Sequence, residues 1–234
     1  MLPTERCAYS AIKDRPRLAL PGGARLVVWV IVNVEEWNPR ETMPRTVLTP
    51  PAGGSPMPDI PKNMQKVSDE RAEIAKTTDA IHAFTGCRPR GWLGPGLTET
   101  WDTPDILVEE GYEYVCDWVL DDQPVMLNTR TRPIVSVPYT QECNDVAMML
   151  IQHHTASEYR DRAIDQFEQL YADAHDSARV MALVAHPYIM GAPNRLRYLR
   201  EALEHIQSRS GVVFWTGEQI VDWYLGTQVA RQTQ

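Results

Sequence analysis

Apolar residues along this chain gather in short runs whose period switches between two and about 3.6, and the switching predicts alternating strands and helices. Ala24–Val34 is a near-continuous aliphatic and β-branched run, the pattern of a central strand buried on both faces. A helix is predicted from Ser68 as its cap to about Phe84, with Ile74, Ile81 and Phe84 at helical spacing and Gly86 as a left-handed stop. A short strand Gly91–Leu93 follows, then a helix opened by Thr103-Pro104-Asp105 and ended by Gly111, then a strand over Tyr112–Trp118. Ile134–Pro138 reads as another strand, and Ser157 to about Ala174 as a helix with Ile164, Phe167, Leu170 and Tyr171 on one face. Arg179–Ala185 is again apolar. A helix after Asn194 carries Leu196, Leu199, Leu203 and Ile206 and stops by Gly211; Val212–Trp215 is a last strand, and Thr216 with Gln219 resembles a capping box. Repeated βα units imply parallel strands, right-handed crossovers and a site at the carboxyl ends of the strands.

The segment 38–61 breaks this order. Its seven prolines from Pro39 to Pro61, with Gly53 and Gly54, exclude regular structure and predict a long surface loop, a lid or a subunit contact. The whole of 1–234 is otherwise expected to be one domain.

Composition narrows the function classes. A net charge of −8 and a pI near 5.3, without a Lys/Arg cluster, argue against a nucleic acid or an anionic membrane as partner. The longest apolar stretch, Leu26–Val32, is too short to span a bilayer and no signal-like segment opens the chain, so a cytoplasmic location is expected. Cys7, Cys87, Cys116 and Cys143 have no metal-knuckle or disulfide spacing and read as free, mostly buried thiols. Cys116 ends an apolar run with no His beside it, which favours packing over nucleophilic chemistry.

Candidate chemistry lies at strand ends. Glu35 and Glu36 close the first strand, where paired carboxylates can hold a metal or let one of them act as a base. His186 follows Arg179–Ala185 and precedes Pro187, which holds it extended at a strand end, the place for a general acid or base. His153 and His154 are neighbours on an extended segment and would face opposite ways, so they are not a metal pair. Trp92, Gly94, Pro95, Glu99, Asp117 and Trp118 sit in Gly-, Pro- and Trp-rich loops where a core gains little and a binding floor is the better reading.

Five segments in order, Asn33-Val-Glu-Glu-Trp37, Pro56-Met-Pro-Asp-Ile-Pro61, Arg90-Gly-Trp-Leu-Gly-Pro-Gly96, Asp117-Trp-Val-Leu-Asp-Asp-Gln-Pro124 and Ala185-His-Pro187, resemble the polysaccharide deacetylase (NodB-homology) superfamily. The branch resembled contains metal-independent allantoinases and cyclic-imide hydrolases. The resemblance implies an α/β fold, a distorted (β/α) barrel, and hydrolysis of a non-peptide carbon–nitrogen bond. It makes Glu35 and Glu36 the acidic first motif (base and metal ligand), Trp92, Gly94 and Pro95 the groove-lining third, Asp117 and Trp118 the fourth, and His186 the acid on the leaving nitrogen. Glu99 joins Asp117 and the tryptophans as a substrate contact. Leu93 stands where many deacetylases have arginine, which leans the substrate toward a small amide or cyclic imide and away from an acetylated sugar. Pro61 runs straight into Lys62 where relatives carry about two further βα units and the histidine motif, and no His lies between Trp37 and Ala80. The implied cofactor is a divalent metal such as zinc near Glu36, its ligand set undefined. The implied state is a homo-oligomer; the alternatives are an N-deacetylase of an acetylated amino sugar or polysaccharide, and a non-catalytic binding or assembly relative with a truncated site.

Overall fold

Leu26–Val32 forms β1, as its aliphatic run predicts, and in the computed structural model, which describes residues 3–35, 40, 64, 65 and 67–232, it is the middle of a three-stranded parallel sheet. On one side β6 (Arg179–Ala185) pairs with it along its whole length, from Leu26 opposite Arg179 to Val32 opposite Ala185. On the other side β7 (Val212–Phe214) covers only Leu26 to Val28. The carboxyl end of β1 is therefore half open, and Val32 is 59% exposed where the sequence pattern predicts burial.

A second sheet orders β2 (Gly91–Trp92), β3 (Tyr114–Val115), β5 (Ile134–Ser136) and β4 (Val125–Leu127), with β4 antiparallel at the edge. The strand predicted over Tyr112–Trp118 shrinks to two residues, and β4, flanked by Pro124 and too short for a periodic signal, is not foreseen. Residue Gly91 is required: a Cβ there would lie 1.9 Å from the Tyr114 ring. Single hydrogen bonds join the sheets, from the Val180 N–H to the Asp122 carbonyl at 2.8 Å and through a bridge between Asn144 and Val184. The expected barrel is thus realised, among the described residues, as two sheets facing a shared interior. Val27, Ile31, Val180, Ala182 and Val184 fill that interior with Val135, Val137 and Tyr139.

Helices cover the outside. α1 (Pro3–Arg6), α2 (Glu70–Thr85), α3 (Thr103–Glu109), α4 (Ala156–Asp173), α5 (Pro187–Met190), α6 (Pro193–Gln207) and α7 (Gly217–Gln232) complete the order. Leu26, Val28, Met181 and Leu183 pack against Ala163, Phe167 and Leu170 of α4 and Ala202 and Ile206 of α6, which explains why β1 and β6 are apolar on both faces. Local signals set the ends. Gly86 takes φ 76° as the left-handed stop of α2, the Thr155–Glu158 capping box opens α4, and Thr216 and Gln219 exchange bonds at α7. Two expectations are corrected. Asp69, not Ser68, caps α2, and only Ile74 of its apolar face is buried, with Ile81 40% and Phe84 93% exposed. His153 lies in a turn at φ 60° rather than on an extended segment. The Pro-rich loop 38–61 and the junction of Pro61 with Lys62 fall outside the described residues, save Arg40. No described helix is long and apolar enough to cross a membrane.

The buried Arg6 ties the amino terminus to the second sheet. Its guanidinium donates to Asp105 at 2.8 and 3.1 Å, to the Asn128 carbonyl at 2.9 Å and to the Trp101 carbonyl at 2.7 Å. Burial alone would raise the Asp105 carboxyl, but Arg6 and the Arg130 N–H hold it below the usual carboxylate range. Its stabilising contribution is therefore complete above the unfolded value near 3.9 and fades as pH falls through the lower folded one. Arg6→Met leaves a buried carboxylate without its cation and is expected to cost about 3–5 kcal/mol in denaturant melts at pH 7, with a smaller cost at pH 3.

Candidate active site

β1 and β6 end level with each other because Val32 pairs with Ala185, and the residues that follow meet above the sheet. The Asn33 N–H donates to the Ala185 carbonyl at 3.0 Å, continuing the ladder by one bond. His186 keeps the extended backbone that Pro187 imposes (φ −109°, ψ 129°), and its carbonyl accepts from Ile189 and Met190 at the start of α5. The ring is 4% exposed.

His186 lies between two carboxylates. Asp145, wholly buried, accepts the His186 backbone N–H through Oδ2 at 2.7 Å and binds Nδ1 through Oδ1 at 2.6 Å. An ionised carboxylate only accepts, so Nδ1 carries the proton in this bond and Nε2 is turned toward the open end of β1. There the Glu35 Oε1 stands 3.5 Å away. Asn33 Nδ2 also lies 3.5 Å from Nε2 and donates to the Tyr139 hydroxyl at 3.1 Å. Pairing at Nδ1, an open Nε2 and a carboxylate beside it form an arrangement able to move a proton to or from a bound molecule.

Asp145 has no sequence signal. Residues 139–145 carry neither period, and a polar Asn-Asp pair after a strand reads as a solvated turn. Its position arises from pairing at a distance: the Val184 N–H donates to the Cys143 carbonyl at 2.9 Å, Tyr159 braces both carbonyls, and the chain then enters a π-helical turn over Val146–Ile151.

The other expected residues gather at the ends of β2 and β3. Asp117 accepts the Gly94 N–H with both oxygens at 2.8 and 2.9 Å, an approach open only to glycine since a Cβ would sit 2.7 Å from Oδ2. Glu99 accepts from the Trp118 indole and shares a side-chain hydrogen bond with Asp117. Burial first, and then the Asp117 charge beside it, push the Glu99 carboxyl up to about 9; burial also raises Asp117. Glu99 is therefore a neutral acid at pH 7. Trp118 and Trp101 lie 5.8 Å apart with Trp101 39% exposed, whereas Trp92, expected as a wall of the groove, is 7% exposed in the core and packs edge-on to Tyr112. Pro95 opens a short turn over Pro95–Leu97. Asp121 and Asp122 of the same motif pair with Arg15 and Arg179. Cys116 is buried and its thiol is held well above the ordinary range, as a packing residue.

Glu36 lies outside the described residues. Among those described, no three His, Cys, Asp or Glu side chains come together as a metal would need, and His186 Nδ1 is already engaged by Asp145. The described donors do not fit the implied zinc.

Comparisons with known proteins agree with the resemblance. No family model matches the chain. A Schizosaccharomyces pombe protein described as "Putative polysaccharide deacetylase" is 30% identical over 128 residues, 53% of this chain and 38% of that protein's length. The fold is shared with PuuE allantoinase, at a TM-score of 0.78 and 20% identity over 92% of this chain and 95% of that one. It is shared equally with a "probable Polysaccharide deacetylase" from Pseudomonas aeruginosa PAO1, at a TM-score of 0.75 and 18% identity over 91% and 95%. The chain thus has the α/β fold of these proteins, and about half of it is similar in sequence to a protein described as a putative polysaccharide deacetylase.

The Glu99 carboxyl generates a pH dependence of definite sign. Its folded value lies above the unfolded one, about 4.3, so between the two the folded chain holds a proton that the unfolded chain releases, and stability falls as pH rises. Glu99→Gln, a neutral replacement, is expected to flatten that fall in thermal melts from pH 5 to 9 and to melt higher than the parent at pH 8.

Proposed function

We propose that this chain is a hydrolase of non-peptide carbon–nitrogen bonds acting on a small linear or cyclic amide or imide. The observation that carries the reading is the row Glu35–His186–Asp145, with contacts of 3.5 and 2.6 Å on opposite sides of one buried imidazole. Glu35 takes a proton from water as the oxygen attacks the carbonyl carbon. Glu35 passes that proton to the free Nε2 of His186, 3.5 Å away, and His186, held by Asp145, delivers it to the departing nitrogen, which leaves both groups as they began.

Trp101 and Trp118 supply an apolar wall near Glu99 and Asp117, a hydrogen-bonded carboxyl pair suited to positioning a polar group of the substrate. Leu93, where the resemblance leads one to expect arginine, favours a small amide or cyclic imide over an acetylated sugar. The description of the fission-yeast relative favours a second reading, N-deacetylation of an acetylated amino sugar. A hydrolysis screen over N-acetylated sugars, allantoin, hydantoins and succinimide-type imides, with and without a chelator, separates the two. Imide turnover that survives the chelator supports the first.

Glu35→Gln and His186→Ala are each expected to lower kcat by about two to four orders of magnitude while the protein still melts cooperatively. Near-parental turnover in both variants would remove the assignment. Asp145→Asn, which favours the wrong ring tautomer, is expected to lower kcat with little change in KM.

A further inference from the structure

Tyr139 is buried, only 6% exposed, yet its hydroxyl stands one amide away from His186 Nε2. A phenol offers two acceptor sites and one proton. Both acceptor sites are taken, by Asn33 Nδ2 at 3.1 Å and Asn144 Nδ2 at 3.4 Å. The orientation of Asn144 is set independently, because its Oδ1 accepts the Val146 N–H at 2.9 Å and so turns Nδ2 toward the phenol. Asn33 presents Nδ2 to an imidazole nitrogen that Asp145 leaves as the acceptor. With both lone pairs engaged, no described group takes the phenol's own proton. A buried donor left unpaired costs about 1–3 kcal/mol, so its position calls for an acceptor that is absent from the free protein.

We infer that Tyr139 is a further catalytic residue, whose O–H binds the carbonyl oxygen of the substrate and stabilises the oxyanion formed when water adds. The inference rests on the hydrolase reading above and adds to it the group that meets the developing charge. As the water oxygen bonds to carbon, the carbonyl π pair moves to oxygen, which the Tyr139 proton meets without being transferred. The water proton passes to Glu35. On collapse the carbon–nitrogen bond breaks and the nitrogen takes the proton that Glu35 has passed to His186 Nε2. Burial pushes the phenol up to about 12, with the charges of Asp117 and Asp145 adding to it, so it remains a donor through the working pH range. Preorganised donors of this kind act where charge develops and need no rearrangement during the step.

The test is Tyr139→Phe in the full chain, on whichever substrate the screen identifies, beside Glu35→Gln. The expected result is a kcat lowered by about 10²–10³-fold, typical of one lost oxyanion donor, with KM changed by less than about threefold. Both limbs of the pH profile of kcat/KM should stay in place, because Tyr139 is neither the acid nor the base. Unchanged kcat with Glu35→Gln inactive would overturn the inference and leave the hydrolase reading standing. A lowered kcat accompanied by a displaced pH limb would also overturn it, since Tyr139 would then act through Asn33 on His186. No turnover by the parent chain on any substrate of the screen would remove both. If the Phe variant does not fold, 3-fluorotyrosine at position 139, a stronger donor of nearly the same shape, must alter kcat; an unaltered kcat overturns the inference.

Discussion

The parallel ladder between β1 and β6 is the interaction on which everything at the candidate site depends. Seven residue pairs in one register bring Val32 and Ala185 to the same height, so that Asn33, Glu35 and His186 emerge side by side from strands 153 residues apart in sequence at Asn33 and His186. A slip of one residue would turn His186 to the opposite face of the sheet. The same ladder is buried on both sides, by the interior cluster and by α4 and α6, which makes such a slip costly. β7 pairs with only the first half of β1, and that asymmetry leaves the carboxyl end open enough to admit a ligand.

Around this ladder the fold keeps several ionisable groups out of water, and each is handled differently. Arg6 and Asp105 neutralise one another and spend nearly all their hydrogen-bonding capacity on each other and on backbone carbonyls, a structural use of buried charge. Glu99 and Asp117 are of like sign, so one of them holds a proton at neutral pH. His186 faces a buried carboxylate on one side and a half-exposed one on the other, an arrangement with a direction in it. The last two sets follow the ends of β1, β3 and β6, which is why they, and not the Arg6 network, define the candidate site. Tyr139 lies between them, close enough to both for the charges of Asp117 and Asp145 to act on its phenol.

Much of this was legible in the chain. The β1 and β6 runs, the stop at Gly86, the box at Thr216 and the extended His186 before Pro187 follow from local rules, since each depends on neighbours within about one helical turn. Glu35, His186, Asp117 and Trp118 stood out through their places at strand ends and within the motifs of the resemblance. The apolar spacing of α2 was misleading: periodicity states which residues share a face and not whether anything covers it, and Ile81 and Phe84 are exposed.

Sequence by itself determined most of the elements, the parallel order of the central strands and the strand ends at which chemistry would sit. Tertiary structure alone decided who meets whom there. Asp145 and Tyr139 come from an aperiodic loop, and only the bridge of Asn144 to Val184 carries that loop alongside β6. Likewise Trp92, in a motif that suggested a groove, is drawn into the core by its packing on Tyr112, and Glu99 becomes neutral only because burial sets it beside Asp117. The physical reason is one of range: propensity and capping act over a few residues, whereas burial, charge pairing and hydrogen-bond satisfaction depend on contacts between segments that the chain brings together only on folding.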